Sequence, residues 1–129
     1  MYRPALIALS VLTAPAFAET TLMDPGPARA AALAGEVVMV DIRRPDEWAS
    51  TGIADVAIPL DMRAEDFEAR LADLQTAHPD AALAFICRSG GRSKRLAERL
   101  SGQGWQGIVD VAGGTLRWID EGLPVVAVE

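Results

Sequence analysis

The chain has 129 residues, half of them hydrophobic, so one compact domain with its own core is expected and a second domain is not. Its formal net charge at pH 7 is −6. Proteins that bind nucleic acid or anionic membranes by general electrostatics need a basic surface, so the charge argues against both kinds of partner. Any arginine that binds an anion must therefore act locally.

The first 18 residues have the pattern of a secretory signal peptide. They comprise a positive Arg3, a mostly apolar run at 5–14 and the small-x-small sequence AFA at 16–18. The apolar run is shorter than the ~20 residues needed to cross a bilayer. The sequence therefore predicts cleavage after this segment and an exported mature domain over 19–129, periplasmic or secreted, with no membrane span. An uncleaved anchor or a buried amphipathic segment is the alternative.

Turn residues and apolar runs predict the first elements of the mature chain. Residues 20–23 can form a short edge strand, and a turn rich in proline and glycine can then open a helix over 28–34. The β-branched run at 37–40 predicts a strand buried on both faces, as in a parallel sheet. The polar stretch at 41–45 follows at the carboxyl end of that strand, where such folds bind ligands.

The next segment combines a short strand, a helix and a loop. A strand is predicted at 56–60, where Pro59 restricts it to a sheet edge or a strand end. Apolar residues at spacings of four and three predict an amphipathic helix over 64–74. The only histidine, His78, follows this helix. A surface loop residue is a better interpretation of it than a general base, because it precedes a Pro-Asp turn.

The remaining segment continues the alternation of strand and helix. An apolar strand at 81–86 places Cys87 at its carboxyl end. The later elements are a helix at 93–100, a strand at 108–111, a helix at 115–121 with Leu116 and Ile119 on one side, and a terminal strand at 125–128. This alternation predicts an α/β domain with a mostly parallel sheet.

Cys87 is the only cysteine, so it cannot form a disulfide within the chain. A buried cysteine that acts as a small hydrophobe is the simplest alternative to a chemical role. However, the loop that follows contains two glycines, which allow successive N–H groups to converge on an anion. The next helix directs its unpaired amides at the same point. Such helix ends and neighbouring cations lower the pKa of a thiol, so we predict that Cys87 is a nucleophile.

Three motifs in this order resemble the rhodanese family of sulfurtransferases. The sequence CRSGGRS is similar to the active-site loop of that family, VVMVDIRRPDEW to the preceding strand with its Asp-x-Arg, and VAGGTLRWIDEGLPVV to the closing segment. The resemblance covers a core of about 28–128 and implies one rhodanese-like domain, with a five-stranded, mainly parallel sheet flanked by helices. The segment at 51–56 departs from the family pattern, since it lacks the usual histidine and proline.

The resemblance also implies a mechanism. Cys87 would attack the outer sulfur of a donor such as thiosulfate, carry that sulfur as a persulfide, and pass it to an acceptor such as cyanide, a thiol or an acceptor protein. Ping-pong kinetics would follow. No metal and no organic cofactor are implied. The residues expected to bind substrate are those of the loop, Arg88, Ser89, Gly90, Gly91, Arg92 and Ser93.

Four residues of the other motifs have two interpretations each. Asp41 and Arg43, together with Glu47, match the first family motif, and a charge network that holds the strand end is favoured over substrate contact. Trp118 in the closing motif could line the pocket, but packing in the core explains an aromatic residue there equally well.

A loop with a cysteine and an arginine can also serve other chemistries. Cysteine phosphatases typically have Cys-(x)5-Arg, whereas Cys87 and Arg92 form Cys-(x)4-Arg, so phosphatase and arsenate-reductase chemistry are disfavoured. The chain also has no second cysteine to act as the resolving thiol of a reductase. A non-catalytic binding or regulatory module and an exported redox sensor stay as alternatives.

Overall fold

The structure is a computed structural model that describes Ala5 and residues 20–128; the signal peptide predicted over 1–18 lies, apart from Ala5, outside the described residues. The elements are β1 (Thr21–Met23), α1 (Pro25–Leu33), β2 (Val37–Asp41), α2 (Pro45–Thr51), β3 (Ile53–Ala54), β4 (Ala57–Pro59), α3 (Phe67–Ala77), β5 (Ala82–Ile86), α4 (Gly91–Gly102), β6 (Val109–Val111), α5 (Gly114–Asp120) and β7 (Val125–Val126).

Five strands form one sheet in the order β1-β6-β5-β2-β4, and every neighbouring pair in it is parallel. The predicted α/β fold with a five-stranded parallel sheet flanked by helices is thereby confirmed. The two strands with continuous apolar runs, β2 and β5, lie in the middle of the sheet, where both faces are covered. β4 is an edge strand that ends at Pro59, as the missing N–H of proline requires.

Helices cover both faces of the sheet and give the domain two core clusters. In β5, Leu83 and Phe85 point to the cluster covered by α3 and α4, whereas Ala84 and Ile86 point to the cluster that α1 and α5 cover. This alternation follows from the two-residue period of a strand. It leaves Cys87, the next residue, at the carboxyl edge of the sheet in contact with the first cluster.

Several predicted boundaries differ from the structure. No helix is predicted at 45–51, where the structure has α2, and the helix predicted from residue 64 begins at Phe67. In α5, Leu116 and Ile119 are each 41% exposed, whereas Trp118 is fully buried. The buried face of this helix is therefore not the one that its aliphatic residues suggested.

A small antiparallel ribbon lies outside the main sheet. The strand predicted at 125–128 is reduced to β7, which pairs with β3. Gly52, just before β3, has φ +72°, and a Cβ there would come within 2.7 Å of the Val126 carbonyl oxygen. The close pairing of the two segments therefore depends on a glycine at this position.

His78 lies on the surface of the domain. It follows the last turn of α3 and is exposed, which confirms its interpretation as a surface residue. Among the described residues, no helix combines the length and the apolar composition that crossing a membrane requires.

Candidate active site

Cys87 lies where β5 ends, and its side chain is a free thiol with 1% of its surface exposed. The first turn of α5 holds the backbone of Cys87 and Arg88 by hydrogen bonds. The Cys87 carbonyl accepts hydrogen bonds from the N–H and the hydroxyl of Thr115, at 2.8 and 2.9 Å, and the Arg88 carbonyl accepts one from the Leu116 N–H at 3.0 Å. The start of the loop is thus anchored to a second helix.

The loop turns back over the sulfur and continues directly into α4. Gly90 has φ +108° and donates its N–H to Cys87 Sγ at 3.1 Å. Gly91, Arg92 and Ser93 occupy the first positions of α4, whose N–H groups have no carbonyl partner within a helix. The positive end of this helix is therefore available to an anion bound at the sulfur.

The Ser93 hydroxyl lies within hydrogen-bonding distance of the sulfur. Its Oγ lies 3.3 Å from Cys87 Sγ and 2.6 Å from Asp110 Oδ1, and all three residues are buried. Burial raises the pKa of Asp110, and the hydrogen bond from Ser93 opposes that effect. The sulfur is therefore connected through one hydroxyl to a buried carboxyl group.

The two arginines of the loop have different surroundings. Arg92 forms a bidentate ion pair with Glu47 of α2, with Nη–Oε distances of 2.6 and 2.7 Å. Arg88 is exposed at the mouth of the loop, as are Ser89 and Gly91. Arg92 thus ties the loop to α2, and Arg88 is the loop cation that faces solvent.

Asp41 and Arg43 form a second ion pair, which is almost fully buried. The Nη2–Oδ2 distance is 2.8 Å and the two side chains are 0% and 1% exposed. Trp48 also donates to Asp41, and Arg43 donates to the Thr51 hydroxyl and the Gly52 carbonyl. These contacts join the end of β2 to α2, as in the charge network favoured for Asp41 and Arg43. Glu47, which the sequence groups with them, pairs with Arg92 instead.

The family to which the chain belongs follows from a comparison of its sequence with known families. The family model described as Rhodanese-like domain matches residues 26–121, which is most of the chain. The chain belongs to the rhodanese-like domain family. It is 35% identical over 94 residues to a sulfurtransferase from Allochromatium vinosum, and the match covers 73% of this chain and 82% of that protein.

Solved structures agree with this assignment. The rhodanese-like chain is similar to a rhodanese-related protein from Thermoplasma volcanium, with a TM-score of 0.64, 30% identity, and coverage of 82% of this chain and 97% of that one. It also shares its fold with a polysulfide-sulfur transferase from Wolinella succinogenes, with a TM-score of 0.66, 24% identity, and coverage of 85% and 80%.

Trp118 of the rhodanese-like domain lies inside the core. It is fully buried, and its Nε1 donates to the Pro124 carbonyl at 2.8 Å. Core packing therefore describes its position better than the lining of a pocket does. Among the described residues, no group of three or more His, Cys, Asp or Glu side chains is placed to hold a metal ion.

Sequence reasoning missed three residues at this site, namely Gly114, Thr115 and Asp110. A charged residue inside the apolar run IVDV is the signal that could have identified Asp110. Gly114 and Thr115 lie in the quoted motif VAGGTLRW, but nothing in that motif indicates a contact with a loop 28 residues away.

Gly114→Ala is expected to destabilise the domain because this glycine packs directly under the loop. Its φ is +63°, and a Cβ would come within 2.5 Å of the Arg88 carbonyl oxygen and 2.7 Å of the Cys87 carbonyl oxygen. Gly122→Ala is a matched control, since Gly122 has φ +77° but nothing within 4 Å of the added atom. Both variants incur the strain of a positive φ, about 1 kcal/mol, and Gly114→Ala should lose a further ~1–3 kcal/mol from overpacking. Urea unfolding measures both, and equal losses would contradict the close approach.

The Arg92–Glu47 ion pair predicts a loss of stability in acid. Hydrogen bonds from Arg92 lower the pKa of Glu47 from 4.5 to about 2, although burial of the carboxyl group opposes this. The stabilisation is therefore present above pH 4.5 and is lost as the pH falls towards 2. Since both side chains keep some contact with water, we expect the ion pair to contribute about 1–2 kcal/mol to the free energy of unfolding at neutral pH.

Glu47→Gln tests this prediction by removing the titrating group. Between the two pKa values, wild-type protein should lose more unfolding free energy than the variant does. Glu68→Gln is the control, because Glu68 and Arg99 form an exposed pair at 3.5 Å between α3 and α4. If both variants have the acid sensitivity of wild type, the ion pair does not contribute as stated.

Proposed function

We propose that the protein is a sulfurtransferase that takes a sulfane sulfur onto Cys87 as a persulfide and passes it to a thiophilic acceptor. The observation that carries this proposal is the position of Cys87 Sγ, 3.1 Å from the Gly90 N–H and next to the amino end of α4. Membership of the rhodanese-like domain family supports the same chemistry. The similarity to a sulfurtransferase from Allochromatium vinosum, which covers 82% of that protein, is further support.

The first half-reaction loads sulfur onto the protein. The Cys87 thiolate attacks the outer sulfur of an anionic donor, for which we propose thiosulfate. A bond forms between Sγ and the outer sulfur, and the bond from the outer sulfur to the sulfite sulfur breaks. Sulfite leaves with that electron pair. Arg88, which is exposed at the mouth of the loop, would attract the anionic donor.

The second half-reaction unloads the sulfur. A thiolate or cyanide attacks the outer sulfur of the persulfide, and Cys87 Sγ leaves with the electron pair of the S–S bond. Negative charge is thus present on sulfur both before loading and after unloading. The N–H of Gly90 and the first amides of α4 are oriented to stabilise that charge, so little reorganisation is needed during the reaction.

Intact-mass measurement of the folded protein tests the proposal. Incubation with thiosulfate should add the mass of one sulfur atom, and subsequent cyanide should remove it and release thiocyanate. Polysulfide serves as a second donor, so a failure of thiosulfate alone would revise only the donor. Folded protein whose mass changes with neither donor would overturn the proposed function.

We further propose that this chemistry takes place outside the cytoplasm. The support is the sequence of the first 18 residues, with Arg3, an apolar run and AFA at 16–18. Protein isolated from the producing cells should begin at Glu19 and be recovered outside the cytoplasm. An intact amino terminus on protein in the cytoplasmic fraction would contradict this.

A further inference from the structure

A buried carboxyl group lies two hydrogen bonds from the sulfur and has no part in the mechanism above. Asp110 is 4% exposed, and it is separated from Cys87 only by the fully buried Ser93. Ser93 Oγ is 2.6 Å from Asp110 Oδ1 and 3.3 Å from Cys87 Sγ. A carboxyl group in the middle of an apolar strand requires a partner, and Ser93 supplies it.

The Ser93 hydroxyl has one proton and three neighbours that could accept it. The third neighbour is the Gly90 carbonyl oxygen, at 3.2 Å. When Asp110 is ionised, the short contact favours donation from Ser93 to the carboxylate, and a Cys87 thiol can then donate to Ser93 Oγ. When Asp110 is protonated, it donates to Ser93 Oγ instead. The Ser93 proton is then available to a Cys87 thiolate.

Building on the proposed function, we propose that Asp110 is a positioning residue that accepts, through the Ser93 hydroxyl, the proton that Cys87 gives up when it becomes a thiolate. The S–H bond of Cys87 breaks, the sulfur keeps the electron pair, and the proton moves to Ser93 Oγ. The Ser93 hydroxyl proton moves at the same time to Asp110 Oδ1. A thiol and a carboxylate become a thiolate and a carboxylic acid, so the net charge of the buried group stays at one negative charge.

Electrostatic repulsion favours the state in which Cys87 and Asp110 share one proton over the state in which both are ionised. If Cys87 and Asp110 were both ionised, two negative charges would share a buried site, which is unfavourable. Burial also favours the protonated form of Asp110, raising its pKa. From α4, the field of Lys94 lowers this pKa and that of Glu98 raises it.

The strands on either side of Asp110 add no charge. Its partner residues in the neighbouring strands are Leu22 on β1 and Phe85 on β5. The pKa of Asp110 is therefore determined mainly by burial, by the hydrogen bond from Ser93 and by the two α4 side chains.

A titration of the thiolate by its ultraviolet absorbance tests the proposal. Because Cys87 is the only cysteine, subtraction of the Cys87→Ser curve leaves the signal of this thiol alone. Two groups that share a proton titrate in two macroscopic steps. With one shared proton, the pair exists as both thiol with carboxylate and thiolate with carboxylic acid, so part of the thiolate signal appears in each step. We therefore expect two inflections separated by a plateau in wild-type protein, and a single inflection in Asp110→Asn, whose amide cannot take up the proton.

Two further variants separate the hydroxyl link from charge alone. Ser93→Ala keeps the carboxylate but removes the bridge, so it should also lose the plateau. Glu98→Gln removes a negative charge near Asp110 without touching Ser93, and it should keep both inflections. If Ser93→Ala gives the two-step curve of wild type, charge alone couples the groups and the proposal is wrong.

The proposal can be tested even if one of these variants does not fold. Should Asp110→Asn or Ser93→Ala fail to fold, the wild-type curve decides, because a single inflection in it overturns the proposal. The titration contains no sulfur donor, so it can fail while Cys87 still accepts sulfur in the mass measurement. Conversely, a two-step curve in a protein that never accepts sulfur would contradict the proposed function and leave the proton link intact.

Discussion

Cys87→Ser is expected to abolish sulfur transfer, with a loss of at least ~1,000-fold in the rate of thiocyanate formation from thiosulfate and cyanide. The sulfur atom forms and breaks the covalent bond in both half-reactions, and a serine hydroxyl at neutral pH cannot replace it. The variant should also show no added sulfur in the intact-mass measurement.

The same variant should retain the fold, which separates loss of chemistry from loss of structure. A serine hydroxyl is close in size to the thiol and can accept the Gly90 N–H bond that now ends on Sγ. We expect a Tm within a few degrees of wild type, since few interactions are lost. Sulfur uptake by Cys87→Ser would contradict the assignment of the nucleophile, because no other cysteine is present.

Asp41→Asn is expected to cause a large loss of stability. The substitution keeps the shape of the side chain but leaves the Arg43 guanidinium, which is 1% exposed, without its counter-charge. Removal of one partner from a buried ion pair costs about 3–5 kcal/mol. Urea unfolding at neutral pH measures this loss, and α2 should loosen with it, because Arg43 also holds Thr51 and Gly52.

The chain contains a matched control for this substitution. Asp61 and Arg63 have the same spacing as Asp41 and Arg43 and the same set of hydrogen bonds between the two residues, with an Nη2–Oδ2 distance of 2.7 Å. The Arg63 side chain, however, is 63% exposed. Asp61→Asn should therefore cost less than about 1 kcal/mol. If the two substitutions cost the same, burial of the first pair does not determine its contribution.

The parts of the fold that the sequence predicts are those with a strong local pattern. The apolar runs of β2 and β5 predict central parallel strands, and Pro59 predicts an edge. The loop after Cys87 is also a local pattern, because glycines at 90 and 91 are followed by good helix formers. Local pattern thus indicates both the sheet and the position of the thiol.

The parts that the sequence does not predict depend on contacts between distant residues. α2 has no buried residue and therefore no apolar period, although it supplies the Glu47 that binds Arg92. The bond from Ser93 to Asp110 joins residues on different elements, 17 positions apart. In α5, the burial of Trp118 rather than Leu116 follows from the way the helix packs on the sheet. These features are determined by tertiary packing and have no signature in the local sequence.

The anchoring of the loop by α5 has a consequence for which ions the site can hold. The carbonyl oxygens of Cys87 and Arg88 are occupied by Thr115 and Leu116, and that of Gly90 by Lys94. These three carbonyl oxygens are therefore engaged in hydrogen bonds, whereas the Gly90 N–H points at the sulfur. A cation beside the sulfur would face the Gly90 N–H and would have to compete with these hydrogen bonds for the three carbonyl oxygens. The preference for negative charge is thus built into the backbone, and it should survive the loss of either loop arginine.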